Sequence, residues 1–291
     1  MNQTFNPYKS ALDGLILENP VLAFFQFCKE RENIRFKRES GLPAPWSNDI
    51  IFQKGRFLNV FREDDRGSKA IIQFIKQVEF DFSFLVQAVF FSRWCNRQET
   101  LDKINPKMLN NPDELVKFLG GFKPWCNENA YPVEPVQWNG VKYSRLDTAT
   151  KIFFLAKEKL ANIIIGSNGS VIDSVKKINH IFKMKNDFPI FMAVMDIAWF
   201  RPDIVKPNSN VPVGIGAVAY INKLKSFLRK DTDEEVFNHM ISIQRNYWPE
   251  AKRDFFPIDI EYLSCECRKY FSYVNGTKYF KGKNLFSPKK N

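Results

Sequence analysis

The order of apolar and polar positions along the chain predicts a succession of helices. Val21, Phe24, Phe25 and Phe27 share one face between Pro20 and Arg38, which predicts a helix there. The run Gly41-Leu42-Pro43-Ala44-Pro45 turns the chain, and Ser47, Asn48 or Asp49 is placed to cap a second helix. That second helix is expected to carry residues 56–66. In it, Phe57, Val60 and Phe61 form an apolar stripe beside a polar stripe of Arg56, Asn59, Arg62 and Glu63, with Gly67 as the stop. Similar patterns predict helices over 70–78, 82–96, 146–162, 171–184, 188–200, 217–228 and 260–270. Prolines 106, 112, 124, 132 and 135 mark a loop-rich insert near 105–145 around a short helix at 112–119.

Several polar positions on these elements are candidates for chemistry. Arg56, Asn59 and Arg62 combine two guanidiniums with a carboxamide, and Glu63, Asp64 and Asp65 add carboxylates. An arginine fork suits phosphate oxygens and a neighbouring carboxylate can serve as a base; the alternative is a solvated ion-pair ladder. Arg31, Arg35 and Arg38 recur at i, i+4 and i+7, which predicts either a phosphate-tracking stripe or a solvated face. Trp94, between Arg93 and Arg97, is expected partly in the core with the arginines reaching outward, rather than against a base.

Asp196 lies inside the apolar run Phe188–Phe200, where a carboxylate needs either a structural partner or a cleft. Gly214-Ile215-Gly216 feeds a predicted helix, so its amides are candidates for binding phosphate. Glu266 stands four residues after Tyr262 and three before Lys269, placing these polar groups on one helix face. The closing stretch alternates lysines 278, 281, 283, 289 and 290 with Tyr279, Phe280 and Phe286, a pattern suited to nucleic acid.

Composition narrows the classes. A net charge of +11 favours a polyanionic partner, nucleic acid before membrane. The longest apolar block, 188–200, is too short to span a bilayer and contains Asp196, so no membrane segment is expected and a cytoplasmic location is. The five cysteines form no regular framework and read as reduced thiols. With two histidines in the chain, no metal-ligating residues are assigned. The absence of G-x-x-x-x-G-K-[ST] argues against a kinase or ATPase activity.

Four blocks then stand in order: E-R-E-N-I-R-F-K-R-E-S-G-L-P-A-P-W-S-N-D (30–49), R-F-L-N-V-F-R-E-D-D-R-G (56–67), M-D-I through G-I-G-A (195–217), and C-E-C-R-K-Y through N-G-T-K (265–278). Together they resemble the helical family fused to 5-hydroxymethyluracil DNA kinases. That family also occurs alone as the amino acid:DNA transferases, or α-glutamyl/putrescinyl-thymine pyrophosphorylases, of phage thymine hypermodification. The resemblance spans about residues 20–285. Two positions depart from it: Asn186-Asp187-Phe188-Pro189 stands where a glycine-bearing hairpin is expected, and Asn208 or Asn210 replaces a loop glycine.

The resemblance implies an all-α, helix-hairpin-helix DNA glycosylase-like fold. It would be a single domain over 1–291, with lobes at roughly 20–145 and 146–275 and a basic tail from 276. It implies transfer of an amino acid or polyamine onto 5-pyrophosphomethyl-deoxyuridine in double-stranded DNA, with release of pyrophosphate. Asp196, Asp65 and Glu266 are the expected catalytic carboxylates. Arg56, Asn59, Arg62, Gly214, Gly216 and Lys269 are expected at the substrate or pyrophosphate, and Arg31, Arg35, Arg38 and Trp46 at the DNA. Trp46, Phe57 and Tyr270 are candidates for a pocket around an unstacked base. No cofactor is expected apart from Mg²⁺ accompanying pyrophosphate, and a 5-hydroxymethyluracil DNA kinase is a candidate partner. A base-excising hydrolase and a non-catalytic DNA-binding helper of such a kinase are the alternatives.

Overall fold

The structure is a computed structural model that describes residues 18–77, 81–128 and 135–278. It is mostly helical, as the all-α expectation requires. In chain order the helices are α1 (Pro20–Glu39), α2 (Ile50–Lys54), a 3₁₀ turn (Arg62–Asp64), α3 (Arg66–Ile75), α4 (Phe82–Cys95), α5 (Gln98–Leu101), a second 3₁₀ turn (Pro106–Asn110) and α6 (Pro112–Gly120). After the hairpin β1 (Val136–Trp138) and β2 (Val141–Tyr143) come α7 (Arg145–Asp147), a π turn (Thr148–Ile152), α8 (Phe153–Ile165), α9 (Val171–Phe182), α10 (Phe188–Phe200), α11 (Val218–Leu228), α12 (Asp233–Tyr247) and α13 (Pro257–Val274).

The chain forms two compact units, one of Met1–Asp64 with Val211–Asn291 and one of Asp65–Asn210. This division is discontinuous in sequence, unlike the expected lobes at 20–145 and 146–275. The reason is that α13 packs on α1, α11 and α12, so the two ends of the chain share one core.

In the first unit that core is aromatic. Phe25 stacks on Tyr247 at 4.9 Å between centroids, and Phe61 meets Trp248 and Phe255 at 5.9 and 5.8 Å. Phe27, Phe52, Phe57 and Tyr270 form a second cluster. Tyr270 is therefore a core residue rather than an open base platform, and its hydroxyl donates to Asp49. Asp49 also caps α2, accepting from the Ile51 amide at 2.7 Å.

The second unit is built around α4, which is buried almost all round and packs on α3, α8 and α10. Trp94 lies in the core, as expected, but is buried fully, and Arg93 is buried with it rather than reaching outward. The insert contains a feature that the helical reading omitted. Val136 pairs with Tyr143 and Trp138 with Val141, joined by Asn139 and Gly140 at φ 49° and 81°. Both turn residues take the left-handed conformation that Asn-Gly supplies readily.

Residues 56–66 do not form the expected helix. Arg56–Asn59 have no regular structure, Arg62–Asp64 make a 3₁₀ turn, and Gly67 lies inside the first turn of α3 rather than at a helix end. Arg56–Asn59 stay irregular because their backbone groups bond to other elements rather than to each other. The Leu58 amide donates to Glu266, and the carbonyls of Arg56, Phe57 and Asn59 accept from Lys269, Arg31 and Tyr262. The closing helix also runs further than expected, through Val274.

Candidate active site

α13 organises the candidate site in the first unit. Tyr262, Glu266 and Lys269 face the 56–59 stretch, as their spacing predicts. The Tyr262 hydroxyl donates to the Asn59 carbonyl at 3.0 Å, and Glu266 Oε2 accepts the Leu58 amide at 3.0 Å. Lys269 Nζ donates to the Arg56 carbonyl and lies 3.4 Å from Glu266 Oε2. The helix thus holds an irregular segment through three successive turns.

Asn59 ties three elements together. Its Oδ1 accepts from Arg31 Nη2 of α1 at 2.7 Å, its Nδ2 donates to the Asp64 carbonyl at 2.8 Å, and its own carbonyl meets α13. Asn59 and Arg31 are buried, so both act inside the protein. The 3₁₀ turn after it is pinned by charge. Arg253 bonds Glu63 at 2.9 Å and Asp259 at 2.6 Å, while Lys252 contacts Asp64 at 3.0 Å. Burial acts to raise the Glu63 carboxyl, but Arg253 outweighs it and the net shift is downward.

The residue that the sequence reading missed is Glu261. It lies one turn before Cys265 on α13 and is only 4% exposed. Burial pushes its carboxyl up to about 7, against the Gly214 amide, which donates to Oε1 at 2.9 Å, and the positive charge of Arg62. Arg62 is itself buried. A carboxyl poised near neutrality beside a cation is suited to exchanging protons with a substrate. The available signal was its position between Ile260 and Leu263, on the side of the helix that turns inward.

Gly214 and Gly216 come to this site, though differently from the expected pair of phosphate-facing amides. The Gly214 amide is engaged by Glu261, and the Gly216 carbonyl accepts from Arg268 Nε at 2.6 Å. A Cβ on Gly216 would stand 2.5 Å from Cys265 Sγ, and one on Gly214 3.1 Å from Glu261 Oε1. Glycine lets this loop lie directly on α13.

The other predicted residues of the first unit take varied positions. Arg56 is exposed beside the Lys269 contact. The stripe of Arg31, Arg35 and Arg38 is not a uniform basic face: Arg31 is buried, Arg35 bonds Glu32 and Glu39, and Arg38 is half-buried 3.9 Å from Glu39. Arg35 lines an open groove of about 530 Å³ whose walls mix Lys29 and Lys252 with Glu30, Glu32 and Glu250. The half-buried Trp46 donates its indole N–H to the Leu42 carbonyl at 2.7 Å.

Asp65 and Asp196 belong to the second unit. Asp65 precedes α3 without a side-chain capping bond. Asp196 is 5% exposed and receives both Nε and Nη2 of the buried Arg93, the latter at 2.6 Å. This is the structural-partner arrangement that the sequence left open. The lysine and aromatic positions from 279 onward lie outside the described residues.

All five cysteines are unbridged. Among the described residues no group of three or more His, Cys, Asp or Glu side chains could hold a metal ion, and no helix is long and apolar enough to cross a membrane.

A family model described as the helical domain of 5-hmdU DNA kinase matches residues 19–278. The chain belongs to this family. Neither a curated protein nor a solved structure gives a match. Membership points to thymine hypermodification. The match includes all four sequence blocks and every residue of the site on α13.

Proposed function

We propose that this protein transfers an amine, from an amino acid or a polyamine, onto 5-pyrophosphomethyl-deoxyuridine in DNA and releases pyrophosphate. The observation that carries the reading is the buried Glu261 carboxyl, which accepts the Gly214 amide at 2.9 Å beside the charge of Arg62, and whose burial favours the protonated form. An ammonium nucleophile must lose a proton before its lone pair can attack. Glu261 accepts that proton near neutral pH, where an ordinary glutamate would be too weak a base.

The nitrogen then forms a bond to the 5-methylene carbon as the carbon–oxygen bond to pyrophosphate breaks. The bonding pair leaves with pyrophosphate, and Arg62, Arg56 and Lys269 offer cations for the departing charge. Glu266, fixed by the Leu58 amide, keeps Lys269 beside the Arg56 segment. If Mg²⁺ takes part, it enters with the pyrophosphate group. The net positive charge of +11 suits a DNA substrate. Family membership supports a modified thymine as the target and a 5-hydroxymethyluracil DNA kinase as the source of the substrate or as a partner.

The test is mass spectrometry of nucleosides after the protein is incubated with pyrophosphomethyluracil DNA and a mixture of amino acids and polyamines. A new adduct together with free pyrophosphate is expected. Bound but unchanged DNA would instead favour a helper of the kinase, and loss of the base would favour a hydrolase.

A further inference from the structure

Ile215 is the most solvent-exposed large apolar side chain among the described residues, at 98%. Single apolar side chains on a surface are ordinary. What distinguishes Ile215 is how firmly its two neighbours are held. The Gly214 amide is bonded to the buried Glu261, and the Gly216 carbonyl to Arg268. The Gly214 carbonyl also accepts the Ala217 amide at 2.8 Å, which closes the turn behind Ile215. The loop therefore presents an isoleucine outward from a fixed base, one residue from the amide that contacts the candidate proton acceptor.

The charge around it indicates the partner. Arg268, which holds the Gly216 carbonyl, is followed on α13 by Lys269, and Lys278 lies close to both. Burial lowers the Lys278 ammonium, and the neighbouring charges of Lys269 and Arg268 lower it further. Against these three cations stands Glu266, 3.4 Å from Lys269, so the group keeps an excess of positive charge that suits a polyanion, and Arg268 anchors the loop that carries Ile215. Apolar side chains flanked by cations enter DNA between base steps while the cations hold the backbone.

We propose that Ile215 is a wedge that enters the DNA stack beside the target thymine, with Arg268 and Lys278 on the flanking phosphates. It would fill the space left when the base turns out toward Glu261. The inference rests on the transferase reading only in placing the target base; insertion itself requires duplex DNA alone.

The experiment uses duplex DNA with 2-aminopurine next to the target thymine, whose fluorescence rises on unstacking. The wild-type protein is expected to raise the signal severalfold. Ile215→Ala should lose most of that rise while still binding the duplex within a few-fold, and Ile215→Leu should keep it. Where transfer is measurable, Ile215→Ala should lose roughly tenfold or more on a paired target and clearly less on the same target left unpaired. An unchanged fluorescence response in Ile215→Ala would overturn the wedge even if transfer proceeds, as would absence of a rise with wild-type protein bound to the duplex. An Ile215-dependent signal without any transfer would instead uphold the wedge and remove the transferase reading. If Ile215→Ala reduces only binding of a protein partner, leaving the fluorescence as in wild type, the isoleucine is a protein contact and the proposal fails.

Discussion

Gly214 donates its amide to Glu261 Oε1 at 2.9 Å, so a loop and a buried carboxyl on α13 are held as one unit. Folding raises this carboxyl from an ordinary 4.5 to about 7, mainly by burial. The folded protein then holds a proton that the unfolded chain has released. Stability should accordingly fall as pH rises from about 4.5 to about 7, by on the order of 3 kcal/mol from this group. Glu261→Gln keeps an acceptor for Gly214 but cannot titrate, so urea melts across that window should show a flatter profile than the wild type. Transfer activity should rise with pH through about 7 in the wild type and be lost in this variant. Equal pH profiles for the two proteins would refute the assignment.

Arg31 and Asn59 meet at 2.7 Å inside the first unit. Asn59→Ala removes an acceptor from a buried guanidinium and a donor from the Asp64 carbonyl. A loss of about 1.5–3 kcal/mol is expected by chemical denaturation. A change within experimental error would mean that Asn59 does not tie α1 to the turn.

The pair of Arg93 and Asp196 is buried in the second unit, with both carboxylate oxygens accepting from the guanidinium. Asp196→Ala leaves a charge without its partner, and a loss of about 3–5 kcal/mol is expected. Replacing both together, as Arg93→Met with Asp196→Leu, should be milder because no lone charge stays behind. Calorimetry on the single and double variants checks this. A single variant as stable as the wild type but devoid of transfer would give Asp196 a direct role in the chemistry instead.

Gly216 leaves no room for a side chain, since a Cβ would stand 2.5 Å from Cys265 Sγ. Gly216→Ala should lose about 1–3 kcal/mol of stability and shift the loop that bears Ile215. Cys265→Ala removes the opposing sulfur, and the double variant should recover part of the loss. A double-mutant cycle with purely additive effects would count against this contact.

The hydropathy pattern determined much of the helical order. α1, α4, α9 and α10 begin and end within a few residues of their expected limits, because each is an apolar-rich run with a local start signal: Asn19, Asp81 and Ser170 cap the first three, and Pro189 sits in the first turn of α10. The grouping of Tyr262, Glu266 and Lys269 was also visible, since helical spacing alone puts them on one face. Residues 56–61 show where that reasoning stops. Their apolar period fits a helix, yet Glu266, Tyr262, Lys269 and Arg31 supply partners that a helix would have provided internally, and the segment forms no helix. Those partners lie up to 213 positions away in sequence.

The roles of individual carboxylates were decided in the same way. Asp196 and Glu261 both sit among apolar neighbours, and no local pattern separates them. Folding gives Asp196 the two nitrogens of Arg93, while Glu261 receives an amide at a depth that pushes its carboxyl to about 7. Periodicity determines which face a residue takes on its own helix; tertiary packing decides which group it meets there, and thus whether a buried charge is neutralised or left ready to exchange a proton.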